Sequence, residues 1–166
     1  MDPGLEKLRQ EIAAAITGIS IHELSRHPEG KWSAVEVLEH LYLTYTGTAK
    51  GMSRVLEAGK PLATISTLKH RQRRFFVLNF RFLPQGRKAP ERTQPRGTPA
   101  ETVVNEIGLR LSEMDEMIRA CEEKLGKKAK LLDHPVLGPL TGAQWRKFHC
   151  VHGRHHLQQV RRLRAG

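Results

Sequence analysis

Residues 141–159, Thr141-Gly-Ala-Gln144-Trp145-Arg-Lys-Phe148-His149-Cys-Val-His152-Gly-Arg-His155-His156-Leu-Gln-Gln159, read as a helix start followed by a helix with histidine on its inner face. Thr141 and Gln144 match the capping box, in which a hydroxyl and the side chain three residues on satisfy the exposed backbone donors of a helix start. At about 100° per residue, His152 and His156 point the same way, with His149 and Trp145 close beside them. Phe148, Val160 and Leu163 fall on or near that face, so imidazoles stand where a helix bundle normally places Leu or Ile. Each buried ring nitrogen needs a partner. One shared metal ion satisfies several at once, which makes a metal site the leading reading.

The capping pattern recurs along the chain and decides the fold class. Ser33-Ala-Val-Glu36 and Thr98-Pro-Ala-Glu101 also match the box, Pro99 suits a first helical position, and Asp2-Pro3 marks an earlier start. Long segments without period-two alternation follow each signal, so the chain reads as all-α. Four helices are expected, over about 3–25 with a break near Thr17-Gly18, 34–58, 99–125 and 142–163. Between the second and third lies a long connection, 61–97. Thr67 to Phe82 reads as a short helix carrying Phe75, Phe76, Leu78 and Phe82, and the Pro/Gly/Arg-rich stretch from Pro84 to Gly97 as an open basic loop. A crossover of this length lets the second and third helices run parallel, the up-down-down-up order of a four-helix bundle.

With 166 residues and 39% hydrophobic residues, the chain suits a single domain over 1–166. No apolar run is long enough to span a membrane, and the N-terminus lacks the basic start and apolar core of a secretory signal. Two cysteines, Cys121 and Cys150, are too few for a disulfide framework, so a cytoplasmic location and no membrane partner are expected. The formal net charge of +11 is concentrated in 69–74, 81–96 and 154–164. It implies attraction to an anionic small molecule or to nucleic acid, or a solvated basic surface. Aromatics make up only 5%, and no nucleic-acid-binding motif is recognisable, so nucleic acid is not the favoured partner.

His152 and His156 form an H-x-x-x-H pair, whose one-turn spacing brings two imidazoles to one ion. His40 is the candidate third ligand. It lies off the main apolar stripe of its helix (Val35, Leu38, Tyr42, Tyr45, Ala49, Met52, Leu56), on a second line with Glu36, Leu43 and Gly47. The near-continuous apolar run around it implies a helix buried on more than one side. His22 to His27 is one residue too long for H-E-x-x-H, and the Glu-x-x-His pairs of a di-iron bundle are absent. Cys150 points away from His152.

Trp32-Ser-x-x-Glu36-x-x-x-His40-Leu, combined with the late H-x-x-x-H helix, resembles the DinB/YfiT-like superfamily. The nearest branch carries His-Pro-x-x-Gly-x-Leu-Thr-x-x-Gln-Trp, here His134-Pro135-Val-Leu-Gly138-Pro-Leu140-Thr141-Gly-Ala-Gln144-Trp145. The resemblance implies a four-helix bundle holding one divalent metal, zinc or nickel, on His40, His152 and His156. An open position would be left for water or a thiolate. It further implies a metal-dependent transferase that uses a low-molecular-weight thiol such as bacillithiol, mycothiol or glutathione against an electrophile.

Metal-dependent hydrolysis is the other enzymatic reading. A DNA-damage-associated, nucleic-acid-contacting bundle with a structural metal is the non-enzymatic one, and a homodimer stays open. Among supporting residues, His149 reads as a core residue or a group behind a ligand rather than the alternative ligand it could also be, and Gln159 as one that orients an imidazole or bound water. His155 lies to one side of the pair, and His134 fixes the approach to the fourth helix. Glu36 is a candidate general base and equally a capping-box member.

Overall fold

The computed structural model of the chain describes residues 1–80 and 89–165. It is mostly helical, with α1 (Pro3–Ile16), α2 (Ile21–Leu24), α3 (Ala34–Ala58), α4 (Leu68–Phe80), α5 (Ala100–Leu125) and α6 (Gly142–Ala165). A small antiparallel hairpin, β1 (Leu132–His134) and β2 (Gly138–Leu140), precedes α6 and pairs Leu132 with Leu140, Asp133 with Pro139 and His134 with Gly138. None of the helices is long and apolar enough to cross a membrane.

Helix starts follow the caps. Asp2 accepts from the backbone N–H groups of Gly4 and Leu5. Ser33 and Glu36 form a complete capping box at α3, and Thr141 and Gln144 do the same at α6. The expected break near Thr17-Gly18 is real: α1 stops at Ile16 and Ser20 caps the separate α2. The third box does not form. Pro99 is the residue before α5, not its first, and the Thr98 hydroxyl donates instead to Glu39 Oε1 at 2.6 Å. A buried carboxylate outcompetes a surface cap for that hydroxyl, because its own desolvation must be offset.

The hairpin was not anticipated. It is the local form of the His134 to Leu140 motif: the His134 ring accepts at Nδ1 from the N–H groups of Val136 and Leu137, and Gly138 turns with φ +68°. A left-handed residue there, packed against the His70 ring, leaves no room for a Cβ.

One core unites the long helices. Leu5, Leu8 and Ile12 of α1, Leu38, Leu41, Tyr45 and Met52 of α3, Ile107, Leu111 and Ile118 of α5, and Leu157 and Val160 of α6 are all buried in it. Helix α3 packs along α5 and against α6, while α1 packs on α5 and α6. Arg146 ties α6 to α5 by donating to Asp115 and, at 2.7 Å, to Glu122, and the backbone N–H of Asp2 joins Asp115 at 2.7 Å.

The described part of the connection is held to the body at several points. Its first part is α4, described as far as Phe80; the expected continuation to Phe82 and the stretch Pro84 to Lys88 lie outside the described residues. Its last part is fastened to α3. Glu39, 2% exposed, accepts at Oε1 from the N–H of Arg96 at 3.1 Å and of Thr98 at 2.9 Å.

Gly153 sets how closely α6 approaches its neighbours. A Cβ there would stand 2.6 Å from Leu8 Cδ2 and 3.0 Å from the Tyr45 hydroxyl. Gly153→Ala therefore overpacks the core, at a cost of about 1–3 kcal/mol. The better helix propensity of alanine returns about 1 kcal/mol of that. A net loss of up to about 2 kcal/mol in urea-unfolding stability is expected, and a raised midpoint would contradict the close packing.

Candidate metal centre

Three imidazoles converge where α3 meets α6. His40 Nε2 lies 3.2 Å from His152 Nε2, and His156 Nε2 lies 3.2 Å from the same atom. Among the described residues this is the group that could hold a metal ion, its ligand atoms all lying within 4.8 Å of one another. Zn–N bonds of about 2.0–2.1 Å in tetrahedral array place ligand nitrogens about 3.3 Å apart. The two 3.2 Å spacings from His152 fit that geometry.

The opposite edges of two rings are fixed by acceptors. His40 Nδ1 lies 2.7 Å from the Thr93 carbonyl oxygen, which can only accept, so Nδ1 carries the proton and Nε2 offers its lone pair. His156 Nδ1 lies 3.1 Å from Gln159 Oε1, which sets the same tautomer. Metal-bound histidines are typically oriented in this way. Gln159 thus holds an imidazole, one of the two roles its spacing suggested. Thr93 was invisible beforehand, because a backbone carbonyl supplied by a distant turn leaves no signature in residue types.

The burial of His40 has a simple cause. It sits off the main stripe, yet is only 3% exposed, because α6 and the 3-10 turn Glu91–Thr93 cover that second side of α3. Trp32 flanks its ring at 5.7 Å, and Phe148 stacks on His152 at 5.1 Å with planes 20° apart.

The remaining candidates separate. His149 is wholly buried, stacked on Trp145 at 5.7 Å and edge-on to Tyr45, and is no member of the converging group. Neither of its ring nitrogens has a hydrogen-bond partner among the described residues. His155 meets His156 edge-on at 5.2 Å. His134 organises the hairpin, as expected of a residue before α6.

Glu36 is engaged elsewhere. Its Oε2 accepts from the Ser33 N–H at 2.7 Å and lies 3.5 Å from His27 Nδ1, so it serves the cap, and the base role finds no contact to rest on. Cys150 faces a separate cavity of about 320 Å³ with Asp2, Arg146 and Arg154, on the far side of α6. Burial raises its thiol to about 11.

Burial also keeps the imidazoles uncharged. It holds His149 and His156 down at about 3 and His134 at about 4, and pushes His40 and His152 below the usual histidine value as well. Neutral rings are the form that binds metal. The triad opens into a cleft of about 1610 Å³. Lys50, Arg54, Arg92, Arg96 and Arg162 line it, and Asp133 is the one carboxylate among its described lining residues.

These depressed values carry a stability consequence. An unfolded histidine takes a proton near pH 6.5, whereas the native His149 and His156 do so only at about 3. Below about pH 6.5 the unfolded state therefore binds more protons, and the fold loses about 1.4 kcal/mol per pH unit for each such group. Metal-stripped protein should lose urea-unfolding stability progressively from pH 6.5 towards pH 4. His149→Phe should make that acid limb shallower while costing little at pH 7.5. An acid limb equally steep in both proteins would refute the assignment of His149 as a buried neutral ring.

The chain belongs to the family described as "Protein of unknown function (DUF1569)", which matches residues 7–163. No curated protein and no solved structure matches it significantly.

Proposed function

We propose that this DUF1569-family chain is a mononuclear metal enzyme that activates a low-molecular-weight thiol for transfer to an electrophile. The reading includes its kinship with the DinB/YfiT-like bundles: α1, α3, α5 and α6 in up-down-down-up order, with zinc or nickel on His40, His152 and His156. The observation that carries it is the convergence of three Nε2 atoms, two of them with their tautomer fixed from behind by Thr93 and Gln159.

A divalent ion held by His40, His152 and His156 would supply Lewis acidity, lowering the pKa of a thiol brought to it. The protein's own residues do the rest. Thr93 and Gln159 hold the ring orientations. Trp32, Trp145 and Phe148 line the cleft with apolar surface beside the triad. Arg54, Arg92, Arg96 and Arg162 present cations to the carboxylates that such thiols carry. The cleft is large enough for a thiol and an electrophile together.

Metal analysis of the purified protein, followed by a panel of bacillithiol, mycothiol and glutathione with a generic electrophile, tests this reading. Near-stoichiometric metal and metal-requiring conjugation with one thiol are expected. Alanine at His40, His152 or His156 should each lower metal affinity by several orders of magnitude, since each removes one of three ligands. Gln159→Ala should lower it only about 10–100-fold. Full metal retention by His152→Ala would eliminate the site. Metal-dependent ester or amide hydrolysis without any thiol requirement would transfer the site to a hydrolase.

The cationic wall is tested separately. Serine at Arg92 and Arg96 together should raise the thiol KM about tenfold or more while leaving metal content unchanged. An unchanged KM would remove these arginines from recognition.

A further inference from the structure

Helix α4 turns its most apolar face outward. Phe75 and Phe76 are each 55% exposed and Phe80 65%, while the inner face of the same helix buries Val77 and Leu78. The three rings touch one another, with centroids 5.7–5.9 Å apart. Leu68, 69% exposed, lies within about 20° of Phe75 around the helix. Ile65, 91% exposed, extends the patch into the preceding segment. Lys69, Arg71 and Arg73, all exposed, stand among and beside these side chains.

The helix is nevertheless fixed to the body. Arg74 donates to the Pro139 carbonyl at 3.0 Å, Lys147 donates to Asn79 Oδ1 at 3.3 Å, and the His70 ring lies against Gly138. A rigidly mounted helix with clustered phenylalanines and a cationic border is an apolar surface awaiting a partner.

We propose that the outward face of α4, with Ile65, docks on an anionic lipid surface. Charge decides among the occupants. A second copy of the chain in a two-fold interface would bring Lys69, Arg71 and Arg73 against the same cations of its partner, in a protein already at +11. An anionic bilayer offers headgroups to the cations and an acyl boundary to the rings at the same depth. Single-stranded nucleic acid wants ring faces presented to separate bases, whereas these rings lie tilted or edge-on against one another beside two aliphatic residues.

The expectation of no membrane partner rested on the lack of a spanning segment, which does not bear on peripheral docking. Arg73 and Phe76 also line the cleft beside the triad, so docking would turn that rim of the cleft towards the surface.

Sedimentation of the full chain with phosphatidylcholine vesicles, with and without about one-third phosphatidylserine, tests this. Binding is expected to the anionic vesicles, to weaken with salt, and to be unaffected by a chelator, which keeps it separate from the metal-site reading. Serine at Phe75, Phe76 and Phe80 together should reduce partitioning about a hundredfold or more. Serine at Lys69, Arg71 and Arg73 should cost up to about fivefold per charge on anionic vesicles. Ile65→Ser, outside any helix, should weaken binding without touching the core and serves if the triple variant misfolds. No sedimentation of the wild type, or undiminished sedimentation of both Phe75/Phe76/Phe80 and Ile65 variants, overturns the proposal. So does phenylalanine-dependent dimerisation or oligonucleotide binding in the absence of vesicle binding.

Discussion

The three imidazoles meet only if α6 lies close on its neighbours, and a glycine in the middle of α6 sets how closely that helix lies on α1 and on the Tyr45 hydroxyl of α3. Gly153 faces Leu8 of α1 and the hydroxyl of Tyr45 of α3, with no room for even a methyl group. Its neighbour His152 is the ring whose Nε2 stands 3.2 Å from both His40 and His156. Metal sites tolerate ligand displacements of only about 0.2 Å. A side chain at Gly153 would press α6 away from Leu8 and Tyr45, so glycine in mid-helix, normally a cost of about 1 kcal/mol, leaves the adjacent His152 free to meet His40.

The second constraint is that α3 is wetted on few of its sides. Its consecutive residues Glu39 and His40 are both buried and polar, and each is satisfied by the same returning segment. Glu39 takes the N–H groups of Arg96 and Thr98, and His40 gives its proton to the Thr93 carbonyl. Burial pushes the Glu39 carboxyl up, yet these hydrogen bonds outweigh it and hold the group below the usual carboxylate range. The segment before α5 is therefore tied to α3 by a charged anchor and a ligand's own orienting bond. Loosening the anchor would release the ring's proton acceptor, so the order of the connection and the geometry of the site are one property.

Much of this was legible beforehand, for reasons that can be named. Capping residues are local, so Ser33-Glu36 and Thr141-Gln144 placed two helix starts correctly and α3 was bounded to the residue. The histidine pair on α6 was readable because helical spacing alone puts His152 and His156 together. His40 was harder, since periodicity put it off the stripe; the apolar run on both of its flanks was the clue that α3 is covered twice. What could not be read depends on through-space partners. Thr98 has the residue types of a cap but is claimed by Glu39 from 59 positions away. Thr93 acts through its backbone, and Gly153 through the absence of a side chain. The part of the basic connection from Ala89 to Gly97 looked open because proline, glycine and arginine also describe a segment held down at a few points.

Charge balance links the two halves of the functional reading. Three neutral imidazoles cancel none of a divalent ion's charge, and burial ensures that they stay neutral. The surrounding cleft adds arginine and lysine rather than carboxylates, and its Asp133 is already accepting from the Thr64 N–H. A protein that binds metal for structure normally completes the set with a fourth ligand or balances the charge with cysteine or carboxylate. An ion held by His40, His152 and His156 would find no carboxylate among the described residues of the triad to balance its charge. On the proposed reading, such a centre would favour an anionic donor twice, once at the ion and once along the cationic wall, and a thiolate bearing carboxylates would meet both demands in one molecule.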